Sequence, residues 1–283
     1  MNGREFYSTG NSFKDNQIDW DSLQNLLHSQ THVDGFIVNG TTAESPTLTW
    51  QEVESIFRFV LENKSPEQKV MLGTGSNCTR TTIEKTQSAK NWGADAALIV
   101  VPYYNKPNSA GLRAHFTKIA NEVDIPQVLY NVPSRTIAAL SVNDVVELSG
   151  HKNVVGVKDA TGDLSQLQEM KSQINNSFTF LSGDDPTGRQ YIQQGGDGII
   201  SVCSHLVSQE MKSWWSDSAE GLSNTQWDAV FQLLSMVSNP VPLKYALYRR
   251  GILSTDEVRL PLVTLNSEQR EKADQLMSEV GWF

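Results

Sequence analysis

Lys158 closes the apolar run Val154-Val155-Gly156-Val157, a pattern that predicts a buried strand. Desolvating an ammonium is costly, so a lysine in such a place either pairs with a carboxylate or has chemical work. Burial of an amine favours its neutral form, and a neutral amine attacks a carbonyl to give a Schiff base. Asp159, Asp184 and Asp185 could supply the pairing alternative. The other residues described below favour the Schiff base, with a small keto acid as the electrophile.

Schiff-base chemistry moves protons on and off oxygen and nitrogen, so it needs a shuttle. A tyrosine hydroxyl polarised by a threonine hydroxyl and a second tyrosine would serve. Thr41, Thr42, Tyr103, Tyr104 and Tyr130 each stand just after, or at the end of, an apolar run. Singly, each has a structural explanation: a threonine capping a helix, or a buried tyrosine satisfying its hydroxyl. Their recurrence at successive strand ends is harder to explain by packing. Gly40-Thr41-Thr42 could hold a carboxylate through backbone N–H groups and hydroxyls near a helix start. Arg135, in a Pro-Ser-Arg loop five residues past Tyr130, could grip a second carboxylate bidentately, although surface arginines are common. Ser182-Gly183-Asp184 follows another apolar run.

The elements that must position these groups alternate along the chain. Strands are predicted at Gly35–Val38, Val70–Gly73, Ala96–Val101, Gln127–Tyr130, Val154–Lys158, Phe178–Leu181 and Gly198–Val202. Amphipathic segments such as Trp50–Glu62, Thr81–Trp92, Gly111–Glu122 and Leu164–Ile174 lie between them, with start signals at Ser141/Asp144 and Thr161/Asp163. Continuous apolar strands separated by helices indicate a parallel sheet. Seven units and one more at the N-terminus make eight, so the predicted fold is α/β, a (β/α)8 TIM barrel with a C-terminal helical extension. The barrel is assigned to residues 1–225 and the helical region packed on it to residues 226–283. Within that region Trp227, Phe231, Leu234, Val237, Tyr245, Leu247 and Tyr248 read as packing faces. In such a barrel the chemistry gathers at the C-terminal ends of the strands, where the residues above fall.

The chain has 283 residues and a net charge of −9, with acidic residues dispersed and no basic cluster. Nucleic acid and anionic membrane are therefore poor partners. Cys78 and Cys203 are in no metal or redox spacing, which suggests a reduced, cytoplasmic protein. The segment Met-Asn-Gly-Arg-Glu-Phe lacks the apolar core of a signal peptide, and no stretch has the length of a membrane helix.

At the residues singled out, the chain resembles the dihydrodipicolinate synthase family, in the superfamily that also holds N-acetylneuraminate lyase. The matching stretches are Gly40-Thr-Thr-Ala-Glu-Ser-Pro-Thr-Leu48, Pro102-Tyr-Tyr-Asn105, Tyr130-Asn-Val-Pro-Ser-Arg-Thr136, Gly156-Val-Lys-Asp-Ala-Thr-Gly162 and Ser182-Gly-Asp-Asp185. Asn239-Pro-Val-Pro-Leu-Lys244 and Arg259-Leu-Pro-Leu262 carry the likeness into the helical region. The resemblance implies that Lys158 forms a Schiff base with pyruvate. It makes Tyr130 the proton donor and acceptor, linked to Thr41 and to Tyr104 of a neighbouring subunit. Thr42 would hold the pyruvate carboxylate, with Ile200 and Gly183 also in the substrate-binding set. Arg135 would bind the carboxylate of L-aspartate 4-semialdehyde. No cofactor or metal is implied, and the assembly expected is a homodimer or homotetramer.

Three departures from the family pattern carry expectations of their own. The stretch Arg4-Glu-Phe-Tyr-Ser-Thr-Gly-Asn-Ser-Phe13 is polar where the family has an apolar strand. It predicts a weak, displaced or irregular first strand, and with it lowered stability or looser assembly. Ala43 replaces a glycine, which is tolerable only if the backbone keeps a negative φ. Trp50, Val53 and Thr81 stand where lysine-sensitive members carry histidines and a glutamate, although Asn77 and Tyr103 match that site, so weak or absent lysine feedback is expected.

Rival readings are weaker. A metal-dependent aldolase finds no ligand spacing among His28, His32, His115, His151 and His205. A phosphate-binding barrel is disfavoured because Gly195-Gly-Asp-Gly198 precedes its strand rather than following it. A class I pyruvate aldolase of the same superfamily acting on a sugar acid or N-acetylneuraminate is disfavoured by the resemblance, because those lyases differ in the segment after the tyrosine, where this chain has Val132-Pro-Ser-Arg-Thr136. A catalytically silent barrel with a binding or regulatory role is motivated by the eroded N-terminal segment and opposed by the intact Thr, Tyr, Arg and Lys set.

Overall fold

The computed structural model describes residues 4–30, 32–174, 177–215 and 221–283. Its strands in chain order are β1 (Arg4–Ser8), β2 (Phe13–Lys14), β3 (Gln17–Ile18), β4 (Gly35–Val38), β5 (Lys69–Gly73), β6 (Ala96–Val100), β7 (Gln127–Asn131), β8 (Val154–Asp159), β9 (Thr179–Ser182) and β10 (Gly198–Ser201). Eight of them close a barrel in the order β1-β10-β9-β8-β7-β6-β5-β4, while β2 and β3 form a small antiparallel hairpin. The ladders from β5 through β10 are parallel. The predicted (β/α)8 barrel is the observed fold.

The helices are α1 (Trp20–Ser29), α2 (Trp50–Asn63), α3 (Thr79–Trp92), α4 (Ser109–Glu122), α5 (Pro133–Thr136), α6 (Val142–Ser149), α7 (Leu164–Gln173), α8 (Asp185–Gln193), α9 (Ser204–Trp215), α10 (Asn224–Ser235), α11 (Val241–Arg249) and α12 (Ser267–Val280). Their starts follow local chemistry. Thr49 and Glu52 form a capping box on α2, and Ser141 and Asp144 form one on α6, each pair satisfying two orphan N–H groups. On α7 the cap is Asp163 rather than Thr161, whose hydroxyl instead accepts from the Asp163 amide at 3.2 Å. Close strand contact explains the glycine in the apolar run before Lys158. A Cβ on Gly156 would lie 2.6 Å from the Thr179 carbonyl oxygen across the β8–β9 ladder.

The first strand corrects the expectation drawn from its polarity. Arg4–Ser8 takes a place in the closed barrel, and Glu5, Phe6 and Tyr7 are buried. Tyr7 packs edge-on against Phe36, with ring centroids 5.8 Å apart, and lies 3.8 Å from the His205 ring. Beyond the strand, two buried polar side chains bond to backbone carbonyls. Thr9 donates its amide and its hydroxyl to the Ile37 carbonyl, both at 3.0 Å. Asn11 donates to the Ala43 carbonyl at 2.7 Å.

The chain forms two compact units, Tyr7–Gln68 with Ser201–Phe283, and Lys69–Ile200 with the start of β1. In the first, the helices that follow the barrel pack through Trp227, Val230 and Leu233 of α10 and Leu243, Tyr245 and Leu247 of α11. Tyr248, read as a packing residue, is exposed instead.

A charged network crosses the same unit. Lys244 Nζ lies 2.5 Å from Glu44 Oε1, and the two side chains are 2% and 0% exposed. Lys244 also donates to the Glu257 carbonyl at 2.8 Å and sits 4.3 Å over the Phe13 ring. Burial pushes the Lys244 pKa down, and the attraction of Glu44 opposes that shift. Arg259 offers its amide to Glu44 Oε2 at 2.9 Å and its guanidinium to both oxygens of Glu52. The hydrogen bond from Arg259 comes first among the causes holding the Glu52 carboxyl down at about 2. A carboxyl so depressed stabilises the fold above its unfolded pKa, and that stability is lost as pH falls toward 2. Removing one partner of a buried pair leaves the other charge uncompensated. Lys244→Met is therefore expected to destabilise the protein by about 3–5 kcal/mol in urea denaturation. Glu44→Gln combined with Lys244→Met should cost less than the sum of the single changes.

Candidate active site

Lys158 lies on β8 directly opposite Tyr130 of β7 in the parallel ladder. Residues paired in register share a face of the sheet, so both side chains point the same way. The Lys158 Nζ sits 4.2 Å from the centre of the Tyr130 ring, within the range of a cation–π contact. Lys158 is only 8% exposed. Among the described residues no carboxylate forms an ion pair with it. Asp159, next in the strand, turns to the opposite face and accepts the Thr161 amide at 3.0 Å. Burial raises the Asp159 pKa, with the Thr161 hydrogen bonds opposing. Asp184 caps α8, accepting the Thr187 amide at 3.1 Å and its hydroxyl at 2.6 Å.

Gly183 completes this cluster from the end of β9. Its amide donates to the Asp159 carbonyl at 2.6 Å. A Cβ at this position would lie 2.7 Å from Lys158 Cε and 3.0 Å from its Cγ. The absent side chain is the space through which the lysine stem runs. Ile200 is buried in β10.

Arg135 and Tyr104 stand apart from that cluster. Arg135 is exposed on the short helix α5. Asn131, the last residue of β7, closes the loop that carries it, accepting from the Leu140 amide and donating to the Leu140 carbonyl, both at 3.0 Å. Thr136 anchors the same loop, its hydroxyl oxygen lying 2.7 Å from the Ala138 carbonyl and 3.0 Å from the Val132 carbonyl, which compete for its single hydrogen. Tyr104 is 86% exposed and held at φ 74°, an uncommon backbone for a bulky residue. Its ring is presented outward from its own chain.

Thr41 and Thr42 lie in the other unit, in the turn after β4. The turn is closed by the Ala43 amide on Gly40 (3.2 Å) and the Glu44 amide on Thr41 (3.0 Å). Ala43 keeps a negative φ, as its methyl group requires, and the left-handed position falls on Glu44 at φ 54°. The Thr41 and Thr42 amides bond to no group among the described residues. Two adjacent N–H groups of the turn are thus without an acceptor among the described residues. Thr42 is buried, and its hydroxyl oxygen accepts from Asn239 Nδ2 at 3.0 Å.

Sequence reasoning missed Asn131, Asn239 and the Lys244–Glu44 pair. For Lys244 the signal was present, because a lysine within Val241-Pro-Leu-Lys-Tyr-Ala-Leu247 raises the same desolvation question as Lys158.

Comparison with known proteins bears on the family and the fold. The Dihydrodipicolinate synthetase family profile matches residues 11–280. The chain belongs to the dihydrodipicolinate synthetase family. It is 42% identical over 277 residues to the 4-hydroxy-tetrahydrodipicolinate synthase of Bdellovibrio bacteriovorus, covering 95% of this chain and 94% of that one. The crystal structure of dihydrodipicolinate synthase from Aquifex aeolicus superposes with a TM-score of 0.92 at 33% identity, covering 99% of both chains. The chloride-inhibited enzyme from Acinetobacter baumannii, solved in complex with pyruvate, gives a TM-score of 0.89 at 34% identity, with 99% of each chain covered. No helix of the described residues is long and apolar enough to cross a membrane.

Within this family member, the space at Gly183 is a direct test of how the lysine is placed. Gly183→Ala should destabilise the fold by about 1–3 kcal/mol through overpacking. It should also push the Lys158 stem aside, which a crystal structure of the variant would display. An undisturbed lysine in that structure would refute the account.

Proposed function

We propose that this chain condenses pyruvate with L-aspartate 4-semialdehyde, the activity of a 4-hydroxy-tetrahydrodipicolinate synthase, in the diaminopimelate route to lysine. The observation that carries the reading is a buried lysine, unpaired with any carboxylate among the described residues, lying in register with a tyrosine. Family membership supplies the substrates.

The Lys158 nitrogen attacks the keto carbon of pyruvate, and loss of water from the carbinolamine leaves an iminium. Tyr130 donates and recovers protons during those steps, with Thr41 and the Tyr104 of a neighbouring copy completing its relay. Thr42 and the free amides of its turn hold the pyruvate carboxylate. Loss of a methyl proton gives an enamine, which adds to the aldehyde of the second substrate. That substrate's amine then attacks the iminium carbon, closes the ring and expels the lysine. Arg135 grips the second carboxylate, which favours this reaction over a sister aldolase acting on a sugar acid. Every step is carried by side chains and substrate, with no cofactor in the scheme. The exposure of Tyr104 fits a homodimer as the minimal active unit and a homotetramer as its doubling. The setting is cytoplasmic.

Borohydride reduction in the presence of pyruvate is expected to leave a mass adduct on Lys158, and none in Lys158→Ala. A wild-type protein that yields no adduct would instead be a silent barrel. Tyr130→Phe should lower kcat by roughly 10²–10⁴, the range for losing a general acid–base group. Arg135→Ala should raise the KM of the semialdehyde roughly ten- to hundredfold, as loss of a charged hydrogen bond does. A preference for sugar aldehydes over the semialdehyde would turn the reading to the sister aldolases.

The residues at Trp50, Val53 and Thr81 offer no carboxylate to the amino group of a bound lysine. L-Lysine at millimolar concentration should therefore leave most activity intact in a steady-state assay. Half-inhibition at sub-millimolar lysine would contradict this.

A further inference from the structure

We infer that Asn239 is a positioning residue that fixes the direction of the Thr42 hydroxyl, making it a hydrogen-bond donor to the carboxylate of the keto acid. The inference rests on the assignment of Thr42 to that carboxylate. A hydroxyl carries one hydrogen and can donate once. Asn239 Nδ2 donates to Thr42 Oγ1 at 3.0 Å, so the Thr42 hydrogen points elsewhere. Among the described residues it meets no acceptor, and the two neighbouring amides are equally uncommitted. Three donors are thus left at one turn, a set that suits an anion.

The reverse arrangement, with the Asn239 carbonyl facing Thr42, would consume the hydroxyl hydrogen and leave a lone pair facing the anion. In the observed orientation the Asn239 Oδ1 is buried without a hydrogen-bond partner among the described residues. An orphaned carbonyl is tolerated better than an orphaned N–H, which is what the reversal would bury.

Asn239 is not needed to hold the turn itself. Asn11 already binds the Ala43 carbonyl, and Lys244 and the Arg259 amide bind Glu44. What Asn239 adds is the polarity of a single hydroxyl.

The test is a double-mutant cycle on Asn239→Ala and Thr42→Val, read as the KM for pyruvate, kcat and the extent of borohydride trapping at low pyruvate. Asn239→Ala should raise the pyruvate KM roughly tenfold, the loss expected for a hydrogen bond to a charged group, with a smaller effect on kcat. In the Thr42→Val background the same change should alter KM less than twofold. Asn239→Asp should be worse than Asn239→Ala with Thr42 present, because an ionised carboxylate takes the hydroxyl hydrogen. Thr42→Val should bring the two Asn239 variants closer together. Urea denaturation of Asn239→Ala should show far less loss of stability than Lys244→Met, and Asn239→Ser gives a second polar variant should the alanine fail to fold.

An unchanged pyruvate KM in Asn239→Ala, or the same effect with and without Thr42, would overturn the inference while wild-type trapping still upheld the function. A normal pyruvate KM in Thr42→Val would remove the carboxylate assignment and this inference with it. No trapping in the wild type would remove the functional reading itself.

Discussion

Burying an ammonium group is the constraint on which the rest of this structure depends, and the chain solves it in two opposite ways. Lys244 is paired with Glu44 at 2.5 Å, receives a second acceptor from Glu257 and is locked in place. Lys158 is almost as deeply buried, yet among the described residues its nitrogen meets the π surface of Tyr130 and no carboxylate. A ring face is a weak partner compared with a carboxylate, worth about 0.5–2 kcal/mol. The nitrogen it holds stays available to an electrophile. The lysine paired with a carboxylate and the lysine proposed to react differ here in those two neighbours.

The environment of Lys158 is built from backbone as much as from side chains. Register across β7 and β8 brings the tyrosine beneath the amine. Two glycines then allow the strands and the lysine stem to come together, one where β8 meets β9 and one where the stem passes the end of β9. The turn bearing Thr41 and Thr42 follows a different plan. It is held from outside, by Asn11 before β4 and by Lys244 and Arg259 far along the chain.

Much of this was legible in the residue order. Apolar strands alternating with amphipathic helices gave the barrel, because periodicity reports burial directly. The lysine at the end of its run, the tyrosine ending the strand before it and the threonine pair could be found by type and place. The segment holding the first strand was misread because residues just beyond the strand are polar for a reason that no periodicity reveals. Thr9 and Asn11 finish hydrogen bonds with carbonyls that only the folded chain brings near. Asn131 and Asn239 were hidden for the same cause, since a carboxamide's partner is set by three-dimensional neighbours. Lys244 was a different failure: the desolvation argument applied to one lysine applied equally to the other. Its carboxylate lies 200 residues away in sequence, where no local pattern could point to it.

That separation has a consequence for how the protein comes into being. As the chain leaves the ribosome, Glu44 emerges long before Lys244 and Arg259 have been synthesised. A carboxylate destined for complete burial must wait in water until the last helices arrive, because long-range contacts cannot form before both ends exist. The threonine turn beside it therefore takes its final shape only near the end of translation. A nascent chain can assemble strands and helices early, but the turn bearing Thr41 and Thr42 is finished last.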